Sequence, residues 1–290
     1  GHSDSLLVAA GSGATTFGVP SSAGVPDLLA KNTWVLPFND AAALENLFFK
    51  QGPNIAAVIV EPVCGNMGVV TPEPAFLNAL VQQTKKHGAL LILDEVMTGF
   101  RLAWGGAQEL FRVNPDLTCL GKIIGGGFPV GAVGGKKAIM DELAPTGPVY
   151  QAGTLSGNPV AMAAGIATLK TLKTERPYPT LETATSELAQ AIRAAAQKNG
   201  VAVQVNQIGS MFTVFFTTSR VTSYFQAIQA NTKRYGVFFH ALLDRGVYMP
   251  PSQFEAAFVS TAHSPAVMER AREAFDAAFA VVAATTGKKP

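Results

Sequence analysis

The chain has 290 residues, of which 48% are hydrophobic and only 14% are charged. Its length allows one large domain or two ordinary ones, and the low charged fraction predicts that much of the chain is buried. The 22 basic and 20 acidic residues nearly cancel, and no basic cluster longer than a pair occurs, which argues against a nucleic-acid surface and favours a small-molecule ligand.

Alternating strands and helices are predicted in the first half of the chain. Apolar runs at 55–60 (IAAVIV) and 89–93 (ALLIL) are each followed by acidic residues, and such runs are typical of strands buried on both faces. Between them, Pro74 to His87 has apolar residues at helical spacing and is followed by Gly88, a helix stop. Strand, helix and strand in this order predict a parallel α/β sheet covered by helices.

The second half of the chain is predicted to form a smaller domain. A short strand at 117–120 and an alanine-rich helix from Pro159 to about Leu172 complete the first part, and the prolines in 174–179 indicate a linker. We therefore expect residues 1–175 to belong to a large ligand-binding domain and residues 176–290 to form a small α+β domain. The elements predicted in it are a helix at 181–199, half-exposed strands at 201–205 and 211–216, and a closing helix at 265–284.

Metal binding and membrane insertion are not indicated. The two cysteines, Cys64 and Cys119, have no cysteine or histidine companions at metal-ligand spacing, so we expect two buried thiols and no metal. No apolar run approaches the roughly 20 residues that span a bilayer. The first residues lack a basic flank and an apolar core, so no targeting segment is predicted.

Ionisable residues follow the predicted parallel strands. Glu61, Asp94, Glu95 and Lys122 each come at or just after the end of an apolar run. Since ligands bind at the carboxyl ends of strands in an open parallel sheet, we expect these residues at one edge of the sheet.

Lys122 stands between a short apolar run and a series of glycines. A phosphate-binding P-loop is excluded because Asp116 replaces the first glycine and Ile123 follows the lysine, and a dinucleotide fingerprint is excluded because Phe128-Pro129 follows the glycines. Two interpretations remain, a solvated lysine in a loop and a lysine in an apolar surround. The second favours the neutral amine that forms a Schiff base with an aldehyde such as pyridoxal phosphate. That cofactor also needs a carboxylate beside its ring nitrogen, for which Asp94 is the candidate, although Asp94 could instead cap the following turn.

Three longer motifs carry a family resemblance. The stretches DEVMTGFR (94–101), LGKIIGGG (120–127) and YQAGTLSGNP (150–159) resemble the class III, fold-type I aminotransferases, which depend on pyridoxal 5'-phosphate. The resemblance extends over nearly the whole chain and is greatest to the aminomutase branch of the family. It implies a mainly parallel sheet covered by helices, a smaller α+β C-terminal domain, and conversion of glutamate 1-semialdehyde to 5-aminolevulinate for tetrapyrrole synthesis, with cofactor in pyridoxal and pyridoxamine 5'-phosphate forms.

The resemblance also implies roles for individual residues. Lys122 would hold the cofactor and shuttle the proton, and Asp94 would pair with the ring nitrogen. Residues expected near the cofactor or framing the site are His2, Glu61, Asn66, Val96 and Met97. Gly153 and Thr154 would reach the cofactor phosphate of a neighbouring subunit, which implies a homodimer with shared active sites.

Two further residues would distinguish an aminomutase from an ordinary transaminase. Residues 10–14 match a mobile lid with Ser12 as its gating residue, although a flexible glycine-serine turn is the simpler interpretation. Glu255 matches an active-site carboxylate of the aminomutases, although by itself it would be assigned to the surface. The resemblance implies that family members have a further segment N-terminal to Gly1, and that most phosphate ligands and the arginine for the substrate carboxylate lie in it. That segment would also contain the first strands of the sheet, so we expect an uncovered sheet edge in this chain.

Three functions therefore remain open: the aminomutase, an ordinary class III transaminase, and a non-catalytic remnant of the fold. By family analogy we expect a cytoplasmic protein, or a plastid stromal one in a photosynthetic eukaryote. A contact with glutamyl-tRNA reductase is expected on the same grounds.

Overall fold

The computed structural model describes residues 24–26, 28 and 31–286. The chain forms two compact units. We call residues 39–63 and 72–179 the sheet unit, and the described residues up to 38, 64–71 and from 180 onward the C-terminal unit. The assignment of residues 1–175 to a cofactor-binding domain and of 176–290 to a small domain stays a prediction.

The sheet unit contains a four-stranded sheet in the order β1-β2-β3-β4, in which the first three strands run parallel and β4 pairs antiparallel with β3. The mainly parallel sheet predicted from the sequence is thereby confirmed. Its elements in chain order are helix α1 (Ala41–Gln51), β1 (Ala57–Val60), α2 (Pro74–His87), β2 (Leu90–Asp94), α3 (Gly106–Phe111), β3 (Leu117–Gly121), β4 (Gly131–Gly135), α4 (Lys137–Met140) and α5 (Pro159–Glu175).

The two long helices of this unit have the ends that their sequences predict. Helix α2 begins at Pro74, and the N–H that proline lacks would have no partner within the first turn of a helix. The helix ends before Gly88, whose φ of 70° is left-handed. Helix α5 is capped by Asn158, whose side chain accepts a hydrogen bond from the amide of Ala161 at 3.0 Å.

Strand β1 is not buried on both faces, which corrects the sequence prediction. Ala57 and Ile59 are exposed, Ile59 by 50%, whereas Leu91 and Leu93 of β2 are buried. Within the described residues β1 is an edge strand that pairs only with β2. The expected uncovered edge is thus present on β1.

The C-terminal unit is built on an antiparallel sheet in the order β5-β6-β7. Its elements are helix α6 (Tyr178–Lys198), which begins within the sheet unit, β5 (Gln204–Ile208), β6 (Met211–Phe215), α7 (Tyr224–Gln229), α8 (Thr232–Leu243), β7 (Ala257–Phe258) and α9 (Pro265–Thr286). All five residues of β6 are buried, so its predicted half exposure is wrong. The reason is that Phe212 and Val214 pack into one core cluster with α8 and α9, while Phe215 packs with residues 64–70.

Two smaller expectations are also corrected. The predicted linker at 174–179 is mostly helical, because only Arg176 and Pro177 separate α5 from α6. Cys64 is buried as expected, but Cys119 is only half-buried. None of the helices in the described ranges is long and apolar enough to cross a membrane.

Candidate active site

The candidate site lies where β2 and β3 end. Asp94 is the last residue of β2 and is paired with Cys119 in the parallel register. Lys122 follows β3 directly and begins a short 3-10 turn, Lys122–Gly125. The sheet therefore brings the ends of two adjacent strands, and with them these two candidate residues, to the same edge.

The carboxylate of Asp94 is held by its own turn. Its Oδ1 accepts a hydrogen bond of 3.0 Å from the amide of Val96. Its Oδ2 accepts none from the described residues, and no ion pair between described residues includes Asp94. Burial raises the pKa of the Cys119 thiol, and the negative charge of Asp94 raises it further. Asp94 is therefore a half-buried carboxylate with one oxygen available to a cationic or protonated group.

Two apolar side chains, Val96 and Met97, lie in the turn that follows Asp94. Val96 is half-buried and Met97 is 6% exposed. Val96 packs against the backbone that precedes Lys122, since a Cβ atom built on Gly121 would lie 3.1 Å from Val96 Cγ1. This contact joins the turn after β2 to the end of β3.

Lys122 does not lie in the apolar surround that the sequence suggested. Its side chain is exposed. Its backbone has φ of 48°, a left-handed conformation that is unfavourable for a residue with a Cβ atom. Strained residues of this kind concentrate at functional sites, so the backbone conformation supports a functional role for Lys122. Sequence reasoning did not predict this conformation.

Gly126, in the glycine run after Lys122, allows close packing against a helix. Gly126 has φ of 58°, and a Cβ atom there would lie 2.5 Å from the carbonyl oxygen of Ala164 in helix α5. The absence of a side chain lets α5 contact the turn that follows Lys122.

Gly153 lies close to the end of β3. Together with Leu120, Ile124 and Phe100 it lines a cavity of about 680 Å³ in the sheet unit. Gly153 and Thr154 are exposed, and so are Val149, Tyr150 and Leu155 beside them, by 50%, 83% and 74%. The segment predicted to reach a neighbouring subunit is therefore an exposed, largely apolar stretch.

The remaining predicted site residues are divided between the units. Glu61 lies in the sheet unit, and Asn66 and Glu255 lie in the C-terminal unit; all three are half-buried. Glu255 is held through its backbone, which accepts a hydrogen bond of 3.2 Å from the hydroxyl of Thr213. Ser12 and His2 are outside the described residues.

One residue at the strand end is more deeply buried than any predicted site residue that the structure describes. Glu95, which the sequence placed there without a role, has no exposed surface. The signal for it was weak, since two consecutive carboxylates after an apolar run do not reveal which of them faces inward. No cluster of His, Cys, Asp and Glu within the described residues could hold a metal ion.

Comparison with known sequences gives the family. Residues 1–274 match the family described as Aminotransferase class-III. The chain is 57% identical, over 96% of its length, to a protein from Pelotomaculum thermopropionicum named glutamate-1-semialdehyde 2,1-aminomutase, and it spans 64% of that protein. It is 54% identical, over 94% of its length, to the Aquifex aeolicus protein of the same name and again spans 64% of it.

Two solved structures share the fold. An omega-transaminase from Sphaerobacter thermophilus superimposes with a TM-score of 0.85 at 34% identity, with 91% of this chain and 60% of that chain covered. A glutamate-1-semialdehyde aminomutase from Pseudomonas aeruginosa, crystallised in complex with PMP, superimposes with a TM-score of 0.79 at 26% identity, with 90% and 60% covered. The chain therefore belongs to the class III aminotransferase family.

Proposed function

We propose that the protein of which this chain forms at least a part binds pyridoxal 5'-phosphate and converts glutamate 1-semialdehyde to 5-aminolevulinate. The observation that carries the proposal is the placement of Asp94 and Lys122 at the ends of adjacent parallel strands, with Asp94 Oδ2 open. The shared name of relatives that are more than half identical supports the choice of reaction.

The residues of the sheet unit fit the cofactor. A half-buried carboxylate stabilises a protonated pyridine nitrogen, and an exposed lysine amine is accessible to an aldehyde. When bound, pyridoxal phosphate supplies an electron-accepting ring that stabilises negative charge on a neighbouring carbon. Ligands for most of its phosphate are not assigned among the described residues.

The chain's own side chains would divide the remaining work. Asp94 would keep a proton on the ring nitrogen, because Val96 already fixes its other oxygen. Lys122 would bind the aldehyde carbon through Nζ and, once released, carry a proton between substrate carbons. Val96 and Met97 would contribute the apolar wall that keeps water from the ring.

An ordinary transaminase is the second candidate, because the superimposed structures include an omega-transaminase. The two reactions differ in whether the amino group stays on one carbon skeleton. Glu255 and the Ser12 lid are the features we propose to favour the aminomutase, since a diamino intermediate has to stay bound between the two half-reactions.

Two measurements on the natural full-length protein test the proposal. The protein mixed with pyridoxal phosphate should show a visible absorption band that borohydride removes, and Lys122→Ala should lack it. Glutamate 1-semialdehyde should then turn over without any added amino donor. A requirement for a second amino substrate would establish the transaminase instead, and absence of the band would leave the non-catalytic remnant.

We also propose that two copies share the site. Five apolar side chains between Val149 and Ile166 are at least half exposed on the sheet unit, and they flank Gly153 and Thr154. A second copy would cover them and place Thr154 at the partner's cofactor phosphate.

Hybrid dimers test the sharing directly. Lys122→Ala and Thr154→Ala should each be inactive or weak alone. After joint unfolding and refolding, half of the dimers should be hybrids with one intact site of two, which restores about a quarter of the wild-type activity. No recovery in a mixture that has demonstrably formed hybrids would show that Lys122 and Thr154 act within one subunit. The cytoplasmic location and the contact with glutamyl-tRNA reductase stay predictions.

A further inference from the structure

The carboxylate of Glu95 is fully buried and accepts four hydrogen bonds. Its Oε2 accepts from the hydroxyl of Thr98 at 2.8 Å and from the amide of Ala107 at 2.6 Å. Its Oε1 accepts from the amide and the side-chain nitrogen of Gln108 at 2.9 and 3.0 Å. None of the ion pairs in the described ranges includes Glu95. Hydrogen-bond donors alone therefore compensate the burial of this acid.

These bonds close the loop between β2 and α3. Thr98 lies three residues after Glu95, whereas Ala107 and Gln108 lie in the first turn of α3. Gly106 has φ of 73°, and a Cβ atom there would lie 2.3 Å from Glu95 Oε2. The start of α3 can approach the carboxylate only because residue 106 has no side chain.

The backbone of Glu95 is fixed as well. Its amide donates to the carbonyl oxygen of Cys119 in β3 at 2.9 Å, and its carbonyl accepts from the amide of Gly99 at 2.8 Å. Asp94 and Val96 are its chain neighbours and are joined by the hydrogen bond that orients Asp94. Glu95 directly follows the last strand residue, Asp94, so its side-chain and backbone hydrogen bonds fix the segment that presents Asp94.

We propose that Glu95 is the positioning residue for the Asp94 carboxylate. The inference rests on the proposed cofactor, because the orientation of Asp94 matters through the ring nitrogen that it would contact. Glu95 itself touches neither cofactor nor substrate in this proposal. It acts by fixing the turn on which Asp94 is carried.

The central test is Glu95→Gln in the natural full-length protein. The amide has the same shape, but its NH₂ group faces donors, so at least one of the four hydrogen bonds is lost and Asp94 loses its fixed orientation. We expect the dissociation constant for pyridoxal phosphate to rise about tenfold and the pH at which the visible band titrates to move by about one unit. Asp116→Asn is the matched control, because Asp116 also accepts a backbone amide hydrogen bond but lies before β3, at the opposite end of that strand.

A gentler pair of variants covers the case in which Glu95→Gln fails to fold. Thr98→Val removes one donor to Glu95, and Thr84→Val makes the same change at a buried threonine whose hydroxyl donates to Leu80 and Val81 of its own helix, α2. Only Thr98→Val should raise the dissociation constant, by about threefold.

A double-mutant cycle separates positioning from general destabilisation. If Glu95 acts through Asp94, Glu95→Gln should cause little further loss of cofactor affinity once Asp94 is already Asn. Equal losses with and without the Asp94 carboxylate would overturn the inference, as would equal effects of Thr98→Val and Thr84→Val. Failure of the wild-type protein to bind the cofactor at all would instead refute the proposed function.

Discussion

The left-handed backbone at Lys122 makes a prediction that does not depend on catalysis. A protein with glycine at a given position is normally less stable than the same protein with alanine there, because glycine gives the unfolded chain more conformational freedom. At residue 122 the order should invert, since φ of 48° is unfavourable for alanine and accessible to glycine. Both substitutions remove the same exposed side chain, so their difference isolates the backbone.

The magnitude follows from two opposing effects. A residue with a Cβ atom in the left-handed conformation costs about 1–2 kcal/mol. The extra freedom of glycine in the unfolded chain offsets about 0.5–1 kcal/mol of that gain. We therefore expect Lys122→Gly to be more stable than Lys122→Ala by about 0.5–1 kcal/mol.

Lys137 supplies the control position. It is an exposed lysine in the same unit, at the start of helix α4 with ordinary helical backbone. There Lys137→Ala should be more stable than Lys137→Gly by about 1 kcal/mol. Urea unfolding without cofactor measures all four variants, and Trp104 fluorescence in a Trp34→Phe background reports on the sheet unit. A Lys122→Ala protein at least as stable as Lys122→Gly would show that the left-handed backbone is not imposed there.

Three further substitutions probe stability. Burial alone would raise the pKa of Asp116, but hydrogen bonds and the charge of Lys136 lower it. The contribution of the ionised Asp116 to the free energy of unfolding is therefore complete above pH about 4 and is lost as pH falls. Asp116→Asn should make the free energy of unfolding depend less on pH between pH 2 and 5, as measured by urea unfolding. Phe238→Ala should cost about 3–5 kcal/mol in thermal unfolding, because the ring is completely buried; a cost below about 1 kcal/mol would contradict that packing. Gln253→Met should change the free energy of unfolding by less than about 1 kcal/mol. The mutation loses the hydrogen bond to Ala230, but it also removes a buried Oε1 that has no partner among the described residues. A large loss of stability in the same assay would mean that Oε1 is paired.

Local patterns were sufficient for much of the fold. Helix α2 was predicted with both ends correct, because a proline start and a glycine stop are encoded within a few residues of the helix. The three parallel strands were located from apolar runs to within two residues at each end. The order of strand ends was enough to bring Asp94 and Lys122 to one edge.

Burial was the property that local patterns could not supply. Strand β1 has the apolar run of a central strand, yet Ile59 is half exposed because no described strand lies on its other side. Strand β6 alternates like a half-exposed strand, yet residues 64–70 cover its second face. Which segments cover a strand depends on contacts between residues more than a hundred positions apart.

The sequence by itself determined the family, the parallel sheet and the residue types at its strand ends, because these follow from motifs and from short-range periodicity. Only the tertiary structure decided that Lys122 is exposed and left-handed, that Asp94 has one fixed and one open oxygen, and that Glu95 is the carboxylate that faces inward. The orientation of a side chain at a strand end depends on donors such as Gln108, which folding brings close although thirteen residues separate it from Glu95.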